Sequence, residues 1–229
     1  LSELVLVVGA SGPTGRHVVS RLLERGYAVR GMSRDVGAAQ AANPAAAVEW
    51  VAGDLRDAEQ VGAAIVGVQH VLITSGTRNW FGAGDNTGRE VDLLGVEHVL
   101  RGARAVRFTG RIGYVSSVLV TRAWRHPVAL LLNLVRGGVL SDKWAAEQLL
   151  RSSGLDYGIV RPGALNDEAG GLLGLRLEQG DRVLGSVSRE DVARVLVAWL
   201  ERPSARRVTF ELVNGGGAAT HDAASWDAV

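Results

Sequence analysis

The 229-residue sequence contains no cysteine, which removes disulfides and thiolate chemistry at once. That absence fits a reducing, cytoplasmic setting. Charge of one sign is also lacking. Lys and Arg number 25 against 24 Asp and Glu, a net charge of +1. With no dense basic block, no nucleic-acid partner is expected and small molecules are the partners to look for. Long apolar runs are missing too. Leu4-Val5-Leu6-Val7-Val8 is too short for a signal-peptide core and has no basic flank. The stretch Val128 to Val135 falls far short of the roughly 20 residues that cross a bilayer, so no membrane partner is expected. His17, His70, His98 and His221 have neither metal-site spacing nor an acidic cluster, so no metal is expected.

What is present reads as an ordinary globular chain, 47% hydrophobic and 21% charged. Short β-branched runs alternate with amphipathic segments, the pattern of βαβ units around a parallel sheet. Strands are predicted at 4–8, 28–32, 48–51, 68–74, 112–116, 157–160 and 208–213. Helices are predicted at 16–25, 38–42, 58–65 and 90–103, over 143–152 and from Arg189, with Ser188 as its cap. No linker interrupts this series. It predicts a single α/β domain over 1–214, a doubly wound Rossmann fold, and a loosely ordered tail over 215–229 that could serve assembly into a homo-oligomer.

The first strand runs into Gly9-Ala10-Ser11-Gly12-Pro13-Thr14-Gly15 and then a helix. Three glycines at that spacing permit a tight turn and close backbone approach, while free amides and the helix dipole face a diphosphate. Ser11 and Thr14 can add hydroxyl donors. The second strand ends in Ser33-Arg34-Asp35. A basic residue there accommodates the extra phosphate of NADP, where an acidic one would favour NAD. The expected cofactor is therefore NADP(H) ahead of NAD(H). Asp54, in Gly53-Asp54-Leu55, sits where a carboxylate can meet the adenine amino group, and it can equally be a turn residue.

Taken in order, the glycine turn with Arg16, Gly53-Asp54-Leu55-Arg56-Asp57, Tyr114-Val115-Ser116-Ser117, Ser153-Gly154-Leu155-Asp156-Tyr157, Arg161-Pro162-Gly163 and Ser188-Arg189-Glu190-Asp191 resemble the atypical short-chain dehydrogenase/reductases. The branch resembled is that of NmrA-like proteins and biliverdin/flavin reductases. The resemblance implies a sheet in the order 3-2-1-4-5-6-7 with the cofactor across the carboxyl ends of strands one and four. It also implies that Thr74-Ser75-Gly76 line the cofactor and that Pro162-Gly163 flank the nicotinamide amide. Ser117, or its neighbour Ser116, takes the place of the active-site serine, and Lys143 matches the lysine that binds the nicotinamide ribose.

One departure stands out. Dehydrogenases of the larger family use Tyr-x-x-x-Lys, in which the lysine and ribose lower the phenol pKa. Four residues before Lys143 this chain has Val139, which has no proton to give. Three readings stay open: reduction of an acceptor needing little acid help, such as a quinone, flavin or conjugated ketone; a redox-neutral step; or NADP(H) sensing. Two segments read as irregular, 76–89 and 118–142, and both fall where ligands bind in open α/β sheets. They carry Trp80, Phe81 and Trp124, rings suited to a flat substrate. His126 is a further candidate proton donor. The leading expectation is an NADP(H)-dependent oxidoreductase of small aromatic, quinone-like or conjugated ketone substrates, with Ser117 and Lys143 at the nicotinamide.

Overall fold

The computed structural model describes residues 2–42, 47–76, 88–135, 137–171 and 173–218. Ten strands and seven α-helices follow one another over these residues. In chain order they are β1 (Leu4–Val8), α1 (Pro13–Glu24), β2 (Ala28–Ser33), α2 (Val36–Ala42), β3 (Val48–Ala52), α3 (Ala58–Ile65), β4 (His70–Ile73), α4 (Gly95–Ala105) and β5 (Arg111–Val115). Then come α5 (Pro127–Val135), α6 (Val139–Ser152), β6 (Asp156–Pro162), β7 (Ala164–Asn166), β8 (Leu173–Glu178), β9 (Ser186–Ser188), α7 (Arg189–Leu200) and β10 (Val208–Ala218).

Eight strands form one sheet in the order β3-β2-β1-β4-β5-β6-β10-β8. The first seven are parallel and reproduce the expected 3-2-1-4-5-6-7 order, with β10 in the seventh place. The register sets Val8, Ile73, Tyr114 and Ile159 side by side, so the central strands end nearly level. The strand order reverses between β1 and β4, which opens the crevice where ligands of such sheets bind.

Central strands are buried on both faces, which is why they read as unbroken apolar runs rather than alternating ones. One core layer lies beneath α3, α4 and α6 and is filled by Leu6, Val8, Ile65, Val99, Ile112 and Tyr114. The other lies beneath α1 and α7 and is filled by Val5, Val7, Val18, Leu22, Trp199 and Phe210. Ser188 caps α7 by accepting the Asp191 N–H at 3.0 Å, as its sequence predicts.

Three features differ from expectation. Antiparallel β8 closes the sheet beyond β10, and β7 and β9 make a separate two-stranded sheet. Strands β7 and β9 are three residues long, too short to carry a period. The segment 118–142 is largely helical: a 3₁₀ turn at Val120–Arg122, then α5, then the start of α6. The run in α5 is apolar on nearly every side, which hid its helical period. Finally, β10 continues to Ala218, because Asn214 and Ala218 still pair with β8; the expected tail boundary at residue 215 falls inside this strand. Residues 219–229 lie outside the described chain.

At the opposite end of the sheet from the crevice, Arg111 closes the molecule. Its Nη1 donates to the carbonyls of Trp199, Leu200 and Arg202, its Nη2 to that of Ala205, and its Nε to Asp156 at 3.1 Å. The guanidinium also lies 4.1 Å from the Trp199 ring centroid. Arg111 thus gathers carbonyls at and just beyond the α7 C-terminus, adding to bonds that those of Trp199, Arg202 and Ala205 already accept, and a cation there suits the helix dipole. Burial pulls the Arg111 pKa down from its usual value against the pull of Asp156. Arg111→Leu removes all five of these bonds and the stacked cation, although Asp156 keeps Arg206 and the Arg207 N–H. It is expected to lower the unfolding free energy by about 3 kcal/mol in urea titrations, with nucleotide affinity of the folded fraction unchanged.

Candidate dinucleotide site

Strand β1 ends at Val8, and the chain turns through Gly9, which has a φ of +84°. A Cβ at Gly9 would come 2.9 Å from the backbone nitrogen of Ser75, and one at Gly15 would run into the Gly9 carbonyl. The two glycines therefore let β1, β4 and α1 crowd together. The Gly12 N–H returns to the Gly9 carbonyl at 2.9 Å, completing the turn. Helix α1 starts from Gly12 with no side-chain cap, Pro13 in its first turn and no acidic residue there. Its leading amides are left for an anion. Ser75 Oγ, at the end of β4 against Gly9, is buried and has no hydrogen-bond partner among the described residues. An uncapped helix start, a cradle that a methyl group would fill and an orphaned hydroxyl all fit a diphosphate.

Beside this turn lies a cavity of about 530 Å³, lined by Ser11, Arg16, Ser33, Arg34 and Asp35 over a floor of Ala38, Ala39 and Ala42. Ser11 and Ser33 share a hydrogen bond of 3.0 Å, and Asp35 caps α2 through the Ala38 N–H at 2.8 Å. Arg34 is where the sequence places a phosphate-binding cation. Arg16 brings a second one to the same cavity, which the sequence reading did not single out. The signal was available: an arginine in the first turn of a helix opposes the dipole unless an anion is close.

The other expected residues spread over several tasks. Thr74 is committed to the turn, its N–H and hydroxyl both bonding the Val8 carbonyl at 3.0 Å. Asp54 is held by Arg56, whose Nη2 donates at 2.7 Å; that hydrogen bond leads in drawing the Asp54 carboxyl below its usual range. Leu55 is a core residue, 6% exposed, lying under α4. Pro162 and Gly163 are buried at the end of β6, where the Gly163 N–H donates to the Leu212 carbonyl. Trp124 is 60% exposed. Trp80 and Phe81 lie outside the described residues.

The two serines after β5 diverge. Ser116 is buried, and its hydroxyl donates to Glu147 Oε1 at 2.6 Å. Glu147 in turn receives a bidentate pair from Arg161 at 2.9 and 2.7 Å. Ser116 thus belongs to a buried network joining β5, α6 and β6. Ser117 is half-buried and, among the described residues, donates to the Val118 carbonyl at 3.1 Å. Just beyond it, Leu119 has a φ of +67°, a costly conformation for a branched side chain. The Asp181 carboxylate holds this backbone in place by accepting the N–H groups of Leu119 and Thr121 and the Thr121 hydroxyl.

Lys143 projects from α6 toward the end of β4. Its Nζ lies 2.8 Å from Asp92 Oδ1, and both atoms would be close to a Cβ at Gly76, at 3.6 and 3.4 Å. Asp92 is 1% exposed and was not foreseen from the sequence. It stands on a π-helical turn, Arg89–Leu94, that leads into α4; such wide turns are rare and recur at functional sites. Val139, in the tyrosine position, is 5% exposed and packs with Val118, Leu119, Ala123 and Leu140. Tyr114 is no substitute. Lys143 Nζ lies 5.3 Å from its ring centroid, but the phenol oxygen is buried without a partner among the described residues. Burial, then the charges of Asp92, Glu147 and Asp142, hold the Tyr114 pKa well above its ordinary value.

A doubly wound parallel sheet with a diphosphate cradle at its strand reversal defines a dinucleotide-binding protein of the Rossmann class. Residues 9–203 match the family model described as NAD(P)H-binding, and the chain belongs to that family. A chloroplastic, uncharacterised protein of Arabidopsis thaliana, At2g34460, is 35% identical over 217 residues, 90% of this chain and 75% of that protein. Sanguinarine reductase of Eschscholzia californica is 27% identical over 260 residues, 95% of this chain and 92% of the enzyme. Among solved structures, a Bacillus halodurans protein provisionally assigned as an NAD-dependent epimerase/dehydratase superposes with a TM-score of 0.81 at 26% identity. That match covers 95% of this chain and 96% of the other. No helix among the described residues is long and apolar enough to cross a membrane, and they contain no cluster of side chains able to hold a metal ion.

The Asp92–Lys143 pair makes a prediction of its own. Asp92→Asn leaves an ammonium nearly buried without its counter-charge and is expected to cost about 3 kcal/mol of unfolding free energy. The double variant Asp92→Asn/Lys143→Met should recover most of that loss. Urea unfolding of the wild type, both single variants and the double variant measures the coupling.

Proposed function

We propose that this protein is an NADP(H)-dependent reductase of small flat molecules: aromatic, quinone-like or conjugated ketones. The observation that carries the reading is the cavity beside the uncapped start of α1, where Arg16 and Arg34 meet the hydroxyls of Ser11 and Ser33. Two guanidinium groups and two hydroxyls suit the adenosine 2′-phosphate that separates NADP from NAD. The amides after Gly12, with Thr14 and Ser75 Oγ, hold the diphosphate. Asp54 and Leu55 flank the adenine, Thr74 keeps the turn in register, and Pro162 and Gly163 bound the nicotinamide end.

Bound NADPH would supply a hydride. In this reading Lys143, oriented by Asp92, sits beside Gly76 and donates hydrogen bonds to the nicotinamide ribose. Ser117, or solvent, delivers the proton that completes the reduction. Ser116 serves from behind, because its hydroxyl is already committed to Glu147. With Val139 buried in place of a phenol, an acceptor that is already electron-poor is the substrate best matched to the site. Trp124, with Trp80 and Phe81, provides the aromatic faces. The reductase relative supports oxidoreductase chemistry.

A second reading, a redox-neutral enzyme or a non-catalytic NADP(H) sensor, is favoured by one observation: the described residues around Lys143 offer no accessible phenol.

Two measurements test these assignments. Mixing the purified protein with NADPH and a panel of quinones, flavins and conjugated ketones should consume the reduced nicotinamide, and Ser117→Ala should slow that consumption. Tight nucleotide binding with no turnover across the panel would favour the second reading, and absence of binding would sink both. Separately, Arg16→Glu/Arg34→Glu should weaken NADPH binding by at least about two orders of magnitude, the worth of two charge-assisted hydrogen bonds. NADH binding should change little, as calorimetry can show.

A further inference from the structure

Large hydrophobic side chains are not scattered over this surface. Nine are exposed among the described residues, and five of them (Trp124, Val128, Leu130, Leu131 and Leu134) fall within one short segment. Isolated exposed leucines are ordinary, whereas a contiguous cluster marks a surface that meets something other than water. Helix α5 creates the cluster by its orientation. Ala129 and Asn133, one turn apart, face inward at 0% and 1% exposure. Val128, Leu131 and Leu134, spaced by three, stand outward at 51%, 62% and 63%.

Asn133 locks that orientation. Its Nδ2 donates to Ser141 Oγ at 2.9 Å, and its Oδ1 accepts the N–H groups of Leu140 and Ser141. Rolling the helix to hide its leucines would strand a buried amide. The apolar face is therefore held outward against the hydrophobic effect.

The segment's own charge has one sign. From Val118 to Ser141 the sequence contains no Asp or Glu. Arg122 and Arg125 lie in the turn leading to α5 with Trp124 between them, and neither is ion-paired among the described residues. An outward leucine face, a tryptophan at its edge and unpaired arginines alongside are the makings of a helix that lies in a lipid interface. A second copy of the chain fits less well: a two-fold contact of this face with itself would set arginines near arginines, with no carboxylate in the segment to offset them.

We propose that α5 and the Trp124 turn seat this protein on the surface of an anionic lipid bilayer, leucines at the acyl boundary and arginines at the phosphates. The proposal does not rest on the nucleotide site and competes with the substrate reading only for Trp124. It revises the expectation of no membrane partner, which rested on the length needed to span, a requirement that surface seating does not share.

Co-sedimentation of the full chain with phosphatidylcholine vesicles, with and without phosphatidylglycerol, tests it. The expected result is binding that needs the anionic lipid and weakens with added salt. Leu131→Ser/Leu134→Ser should reduce binding by at least about tenfold, and Arg122→Glu/Arg125→Glu should do the same. Because those leucines are exposed, the serine variant should unfold at the wild-type temperature, which separates lost docking from lost fold. Failure to bind anionic vesicles, equal binding to neutral ones, or binding indifferent to both variants would overturn the proposal. So would a dimer in sedimentation velocity that the serine variant dissolves, since the face would then belong to a second copy.

Discussion

The close approach of β1, α1 and β4 at the glycine turn is the contact on which the arrangement of the crevice depends. Gly15 lies so near the Gly9 carbonyl that no side chain fits between them. Thr74 then ties the end of β4 to the same turn through its backbone and its hydroxyl. That single tight junction sets the position of the α1 N-terminus and the mouth of the crevice. It also sets the level at which Ser75 and Gly76 leave the sheet. A helix start left without a cap loses hydrogen bonds in the free protein, and an anion restores them.

Around this junction the polar groups divide between holding the fold and facing the crevice. Arg111 at one end of the sheet and the Ser116–Glu147–Arg161 network inside it are saturated with internal partners. Such groups specify how the helices dock. Ser75 Oγ is buried at the crevice without a partner among the described residues, and Arg16 and Arg34 line the adjoining cavity. The division marks which polar groups are available to a ligand and which are part of the scaffold.

The fold was legible in the sequence because its signals are local. Each central strand is a buried run, the glycine turn is contiguous, and Ser188 announces α7. The candidate site was only partly legible. Arg34 could be placed because it follows directly from β2, whereas Arg16 had to be seen as a charge set against its own helix dipole. Asp92 could not be found from spacing, since it meets Lys143 only after two helices and a strand are packed. Ser116 and Ser117 are indistinguishable in sequence. They separate because neighbours at a strand end point to opposite faces, one into α6 and one toward the turn. Short β7 and β9 and the uniformly apolar α5 carried no period to read.

The π-helical turn at Arg89–Leu94 carries a consequence for how this site could change over time. A wide turn accommodates one residue more than an α-helix would over the same rise. Deleting a single residue between Asp92 and Gly95 would regularise the coil and turn Asp92 by about 100° around the axis, the angle that separates neighbouring α-helical residues. Asp92 would then leave Lys143 while α4 and the sheet below stayed as they are. A lineage could thus dissolve this buried charge pair by one codon loss, without repacking the core, and the extra residue is best understood as part of the site.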